Sequence, residues 1–295
     1  MKRVEFCGIE CLELANERLS LLVSVSLGPR VLSFKPRDGE SLFAYLPGAS
    51  LDCPGVGSFH FHGGHRLWVA PEDPCLTYLP DDDAVRFEPL EGGVRLMQQS
   101  HVRLPIEKSL EIRMASKGMC VEVRHFLSNC GSVPLQLAPW AITQFAPGGI
   151  AILPLAGVRP DESPVLPNRQ VALWPYTDLG SEWIRWENSA LLVTARMTGG
   201  MFKIGYPNPA GWMGYWKDGT LFVKRATFQD QAEYLDMGSS TECYCDPRFL
   251  ELETLGPVTW LEPGRRVEHT EVWSIHRAVR WTDDLAEVRA AVEEG

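Results

Sequence analysis

Ile9-Glu10-Cys11-Leu12-Glu13-Leu14-Ala15 runs into Asn16-Glu17-Arg18, and Leu19-Ser20-Leu21-Leu22-Val23-Ser24-Val25-Ser26-Leu27 then leads to Gly28-Pro29. The reading is strand, polar turn, strand. The second run carries β-branched valines and is stopped by a Gly-Pro break. Residues 31–34 continue the meander. Short runs of the same kind recur at 95–103, 108–114, 120–128, 191–196, 220–228, 249–255 and 267–276, separated by Gly, Pro and Asp. That spacing predicts an all-β sandwich of mainly antiparallel strands. Helical signal is confined to the end, where Thr282-Asp283-Asp284 reads as an N-cap for a short C-terminal helix over 285–294. Leu285, Val288 and Val292 share one face of it, which predicts a lid on a sheet edge. The Pro-rich stretch 154–175 reads as a long rim loop, because strand patterns lie on both sides of it. No internal repeat divides the chain, so residues 1–295 are expected to form a single domain.

Composition narrows the partners. The 295 residues are 45% hydrophobic and 22% charged, enough to bury a large core. Lys and Arg number 28 against 38 Asp and Glu, a formal net charge of −10 with no basic run to offset it. A polyanion would meet net repulsion, so neither nucleic acid nor an anionic membrane is an expected partner. The longest apolar runs fall far short of the roughly 20 residues that span a bilayer. The Met1-Lys2-Arg3-Val4-Glu5 terminus has no secretory apolar region, which predicts a cytoplasmic protein, monomeric or homodimeric. The 8 cysteines are scattered, and most of them read as reduced, buried core residues. Cys243 and Cys245 would share one strand face, where two thiolates could hold a soft metal.

Three constellations carry chemistry. The first is Phe59-His60-Phe61-His62-Gly63-Gly64-His65-Arg66-Leu67-Trp68, with three of the 7 histidines beside a Gly-Gly pair. An extended segment puts His60 and His62 on one face, and the glycines let the chain turn His65 and Arg66 into a cavity. Arg66 offers a rigid fork of donors for hydroxyls or an anion, and Trp68 a flat surface for a sugar ring. The same cluster, through His60, His62 and His65, could instead hold a metal, although no accompanying helix motif supports that use. The plain alternative is a turn whose histidines are satisfied by backbone. The second constellation lies at 249–255, where alternation sets Glu251 and Glu253 on one face with Phe249 and Leu255. Such carboxylates serve as a general base or hydroxyl ligands if the face is water-poor, and are merely solvated if it is open. The third comprises the aromatics and lysines around Lys203, Trp212 and Lys224, residues equally at home in a sugar site or a sandwich core.

Three features together resemble the galactose mutarotase-like (aldose 1-epimerase-like) superfamily: the strand pair ending at Gly28-Pro29-Arg30-Val31-Leu32, the His62-Gly63-Gly64 segment with Trp68, and Leu252-Glu253-Thr254 followed by Leu261-Glu262-Pro263-Gly264. The resemblance implies a β-supersandwich and a carbohydrate-binding domain that needs no cofactor. It makes His62, or His65, the substrate-binding histidine and Glu253 the base that takes the anomeric hydroxyl proton. The family's acid is a histidine in the middle of the chain, yet this sequence has no histidine between His125 and His269. In the corresponding region stand Trp140 and Gln144, which donate hydrogen bonds to a sugar oxygen but not an imidazolium proton. The chain thus resembles a branch of the superfamily that lacks the usual central histidine.

The expected function is an epimerase-type enzyme acting on a sugar or sugar derivative by acid/base ring opening. Glu253 would be its base, His65 or His62 its acid, and Arg66, Trp68, Gln144, Glu251, Lys203, Lys224 and Trp212 its substrate contacts. Two alternatives are a sugar-binding protein without turnover on the same scaffold and a metal-assisted glycan hydrolase or lyase.

Overall fold

The computed structural model describes residues 1–157 and 165–294. In chain order the strands of its first half are β1 Lys2–Phe6, β2 Ile9–Ala15, β3 Leu19–Ser24, β4 Arg30–Pro36, β5 Tyr45–Cys53, β6 Gly57–Ala70, β7 Arg86–Leu90, β8 Gly93–Gln98, β9 Ile106–Met114, β10 Cys120–Asn129 and β11 Leu135–Phe145. The second half adds β12 Ile150–Pro154, β13 Ala172–Leu173, β14 Ile184–Trp186, β15 Ala190–Thr194, β16 Phe202–Tyr206, β17 Trp212–Lys217, β18 Thr220–Ala226, β19 Thr241–Cys245, β20 Leu250–Leu255, β21 Thr259–Leu261 and β22 Arg266–His276. They form two antiparallel sheets. The larger, of 12 strands, runs β1-β2-β3-β4-β6-β11-β20-β19-β16-β13, with β5 paired to β6 and β21 to β11. The smaller, of 10 strands, runs β14-β15-β12-β17-β18-β22-β10-β9-β8-β7. The protein is therefore an all-β sandwich with a short C-terminal helix.

Alternation assigns each strand's two faces. The inner faces meet in an apolar layer whose centre is aromatic: Phe34, Phe43, Phe145, Tyr215, Phe222 and Trp273 stack at ring separations such as 4.6 Å for Phe145 and Tyr215 and 5.8 Å for Phe34 and Trp273. Across that layer runs one polar chain. Glu271 accepts from Trp273 Nε1 (2.8 Å) and the Thr254 hydroxyl, and pairs with Lys224 (2.9 Å). Thr254 meets His269 Nε2 at 2.7 Å, His125 Nδ1 meets the His269 carbonyl at 2.8 Å, His125 Nε2 meets His65 Nε2 at 2.7 Å, and His65 Nδ1 meets Thr143 at 2.8 Å.

Two expectations change. The helix spans Ala286–Glu294 and lies on a face of the smaller sheet, where Leu285, Val288 and Ala291 pack on Ile152, Leu192, Leu221 and Val223, rather than on its edge. Leu285 itself precedes the helix at φ 56°. Of the segment 154–175, residues 158–164 lie outside the described residues, and 172–173 pair with β16 as an edge strand rather than a loop. No helix among the described residues is long and apolar enough to cross a membrane.

The buried imidazoles set an acid limit. Burial holds His65 well below the ordinary histidine range, His125 below it, and His269 down at about 3. Unfolded, each titrates near 6.5, so below that pH the unfolded chain binds protons the native one refuses. Glu271 adds the same sign: burial raises its carboxyl, but Lys224 and the neighbouring imidazoles leave it below the ordinary value. Stability should be flat above about pH 7 and fall below about pH 6, by up to about 1.4 kcal/mol per pH unit for each histidine. Thermal unfolding followed from pH 8 to pH 4.5 tests this, and a midpoint unchanged to pH 4.5 would contradict it.

Candidate functional site

On the outer face of the larger sheet, five adjacent strands (β6, β11, β20, β19, β16) set their residues in rows. One row reads Arg66, Ile142, Glu253, Glu242, Gly205, and the next Gly64, Gln144, Glu251, Tyr244, Lys203. Diagonal neighbours in such rows lie within reach of long side chains. Arg66 Nη2 accordingly donates to Glu251 Oε1 at 2.9 Å, as does Gln144 Nε2 at 2.9 Å. Lys203 Nζ lies 2.8 Å from Glu242 Oε2 and 3.1 Å from Glu253 Oε2.

Arg66, Glu251 and Lys203 form the floor of a cleft of about 320 Å³, walled by Phe61, Trp68, Tyr78, Trp140, Tyr176 and Tyr244, with Glu72 and Arg248 at its sides. The Arg66 guanidinium stacks on Trp68, 4.1 Å from the ring centre. Arg66 Nε and Nη1 and Trp68 Nε1 are buried donors with no protein partner among the described residues.

Electrostatics separate the two carboxylates of β20. Glu251 faces the cleft; burial and the adjacent Glu253 push its carboxyl up to about 7, against Arg66 and Lys203. Glu253, with no exposed side-chain surface, sits beneath the cleft and accepts from Trp140 Nε1 at 2.7 Å as well as from Lys203. Burial lowers the proton affinity of Lys203, but Glu253 and Glu242 outweigh it and hold the ammonium charged. Burial raises the Glu242 carboxyl from its ordinary value against the pull of Lys203, and raises the Tyr176 phenol up to about 12.

The sequence-derived candidates divide sharply. Arg66, Trp68, Glu251 and Lys203 converge at the cleft, whereas Gln144 is fully buried behind Glu251, to which it donates, and Glu253 is buried beneath the cleft. His65 does not join them. His62, Gly63 and Gly64 all take left-handed φ (54°, 89° and 72°), which turns the strand so that Arg66 faces the cleft and His65 the sheet interface. Only glycine fits at 63 and 64, since a Cβ there would lie 2.0 Å from the Ala44 carbonyl oxygen and 2.2 Å from that of Val31. His62 lies away from the cleft beside Asp82, so His60, His62 and His65 do not converge on one point. Lys224 is on the inner face of the smaller sheet with Glu271, and Trp212 packs beside the cluster under the C-terminal helix. Cys243 and Cys245 share the inner face as core residues, as expected, and burial raises their thiols, Cys245 to about 12; of the other six cysteines only Cys11 is buried, so most of the eight are not core residues. Glu242, Tyr244 and Tyr176 were missed. The alternation that puts both cysteines inside puts Glu242 and Tyr244 outside, so that pair was within reach.

No family profile matches the chain, and no curated protein matches it in sequence. Solved structures do match. A galactose mutarotase-like protein from Lactobacillus casei superposes with a TM-score of 0.57 at 12% identity, covering 90% of this chain and 100% of that one. A galactose mutarotase related enzyme from Lactobacillus acidophilus gives 0.51 at 9% identity, covering 91% and 98%. A TPR-domain containing protein from Parabacteroides distasonis gives 0.65 at 12% identity over 93% of this chain but 48% of that one. The chain has the galactose mutarotase-like fold.

Arg66 is the cation that restrains Glu251. Arg66→Met should raise the Glu251 carboxyl pKa above about 7, read by carbon-13 NMR titration of the glutamates. An unchanged titration would mean that Arg66 does not act on it.

Proposed function

We propose that the cleft binds an aldose or aldose derivative and interconverts its anomers, with Glu251 as general base and Lys203 as proton donor. The observation that carries this reading is the carboxyl of Glu251, held at about 7 in an aromatic-walled cleft by burial against Arg66. A base poised near neutral pH suits proton removal from a hydroxyl. The volume of about 320 Å³ is at the small end of ligand pockets and suits a monosaccharide.

Glu251 takes the O1 proton as the bond between C1 and the ring oxygen breaks, and Lys203 supplies a proton to that oxygen. The ring oxygen becomes a strong base as its bond to C1 breaks, and it takes its proton from the Lys203 ammonium. The open aldehyde rotates about C1–C2, and the steps reverse on the other face, restoring both residues. Trp68 and Trp140 supply apolar surface for the sugar ring, and Arg66 holds Glu251 in place at the cleft floor. Glu253 keeps Lys203 charged and placed rather than touching the sugar.

A second reading is sugar binding without turnover, which the lack of any histidine among the described residues lining the cleft favours. Exchange NMR with a panel of aldoses separates the two. The enzyme reading expects anomer exchange above the buffer rate, rising with pH through about 7, with Glu251→Gln lowering it by roughly 10²–10⁴-fold while binding persists. Exchange that survives in Glu251→Gln removes that residue as base, and saturation transfer without exchange favours the binding protein.

A further inference from the structure

The bend in β6 that removes His65 from the histidine cluster leaves His60 and His62 on one face, and a residue from elsewhere completes the set. His60 Nδ1 lies 2.6 Å from Asp82 Oδ2, and His62 Nε2 lies 2.6 Å from Asp82 Oδ1. The ligating atoms of all three lie within 4.8 Å of one another, and the two rings are 5.8 Å apart between centres. We propose that His60, His62 and Asp82 bind one divalent transition-metal ion of the zinc, cobalt or nickel class.

Two imidazoles and one carboxylate on a single point are a borderline-soft donor set. It selects against magnesium and calcium, which prefer oxygen, and leaves coordination positions open to solvent. All three side chains are accessible, so an ion can enter.

The backbone around the set is braced as metal sites require. The buried Arg30 forms both of its contacts to Asp81, next to Asp82, through Nη2 at 3.0 and 2.9 Å, and its Nη1 donates to the Phe61 carbonyl between the two histidines at 2.9 Å. The Asp81 carbonyl accepts from the Gly28 N–H at 2.8 Å. One guanidinium thus fixes both ligand-bearing segments. The other histidine-carboxylate group, His65 with His125 and Glu271, is a poorer candidate, because Lys224 and Trp273 already occupy the Glu271 carboxylate. Phe61 points from the same stretch of β6 into the cleft wall, so a bound ion would stiffen that wall. The proposal stands independently of the cleft's chemistry.

The test is titration of the metal-stripped 295-residue chain with Co(II) by absorption and with Zn(II) by competition against a chromophoric chelator. One ion per chain is expected, with a dissociation constant of about 1 µM or tighter near pH 7.5. His60→Ala and Asp82→Asn should each weaken binding by more than the roughly 10–100-fold that loss of an outer-shell partner costs. Both positions are accessible, and an unchanged circular dichroism spectrum with a similar melting midpoint verifies folding. Binding that survives His60→Ala with His62→Ala, absorption bands of a cobalt thiolate, or no stoichiometric uptake would each overturn the proposal.

Discussion

A single buried carboxylate, Glu271, sets the geometry on which both faces of the larger sheet depend. Its partners Lys224 and Trp273 belong to the smaller sheet and its partner Thr254 to the larger, so the charge is satisfied only when β20 is seated in one register. A slip of one residue would bring Glu251 and Glu253 into the apolar layer and expel Leu252 and Thr254. The cost would be two uncompensated carboxylates inside and Glu271 stripped of a donor. Polar chains of this kind contribute more to selecting one arrangement than to net stability, because a partly satisfied network is worse than an apolar one.

With the register chosen, the outer face follows. A carboxyl moved from 4.5 to about 7 corresponds to roughly 3 kcal/mol disfavouring its ionised form. Arg66 and Gln144 reduce that penalty without removing it, because the Glu253 charge lies two residues along the same strand face. Lys203 receives the opposite treatment, two carboxylates and two aromatic faces, with its Nζ 4.7 Å from the Trp140 ring and 4.8 Å from that of Trp174. One group is held near neutrality and its neighbour firmly charged. Such divergence between adjacent titratable groups is what separates acid from base in a proton-transfer site.

Local alternation made much of this legible. The strands at 9–15 and 120–128, and the shared face of Glu251 and Glu253, follow from period two alone. What did not follow depends on distant chain. Glu253 is sealed by Trp140, 113 residues away, and by Lys203, 50 residues away, so the sequence could not say which glutamate meets the cleft. Lys203 and Lys224 sit in similar apolar strands, and only the sheet each joins separates a cleft residue from an interface residue. For His65 the local rule itself failed: three consecutive left-handed residues reset the alternation, and a reading that expects a turn cannot say to which side it points.

Arg30 and Arg66 show how the fold ties these parts together. They are directly paired across β4 and β6, both almost fully buried, an arrangement that would repel if either lacked its own anion. Arg30 takes Asp81 and Arg66 takes Glu251. The Arg30 charge braces the hairpin bearing His60, Phe61 and His62, while the Arg66 charge restrains the cleft carboxyl. Protonating Glu251 leaves the Arg66 charge beside Arg30 with less compensation, which pulls the carboxyl back toward ionisation. The bend at Gly63-Gly64 is therefore more than a turn: it is the point where one strand passes from carrying a surface histidine pair to carrying the arginine that tunes the cleft.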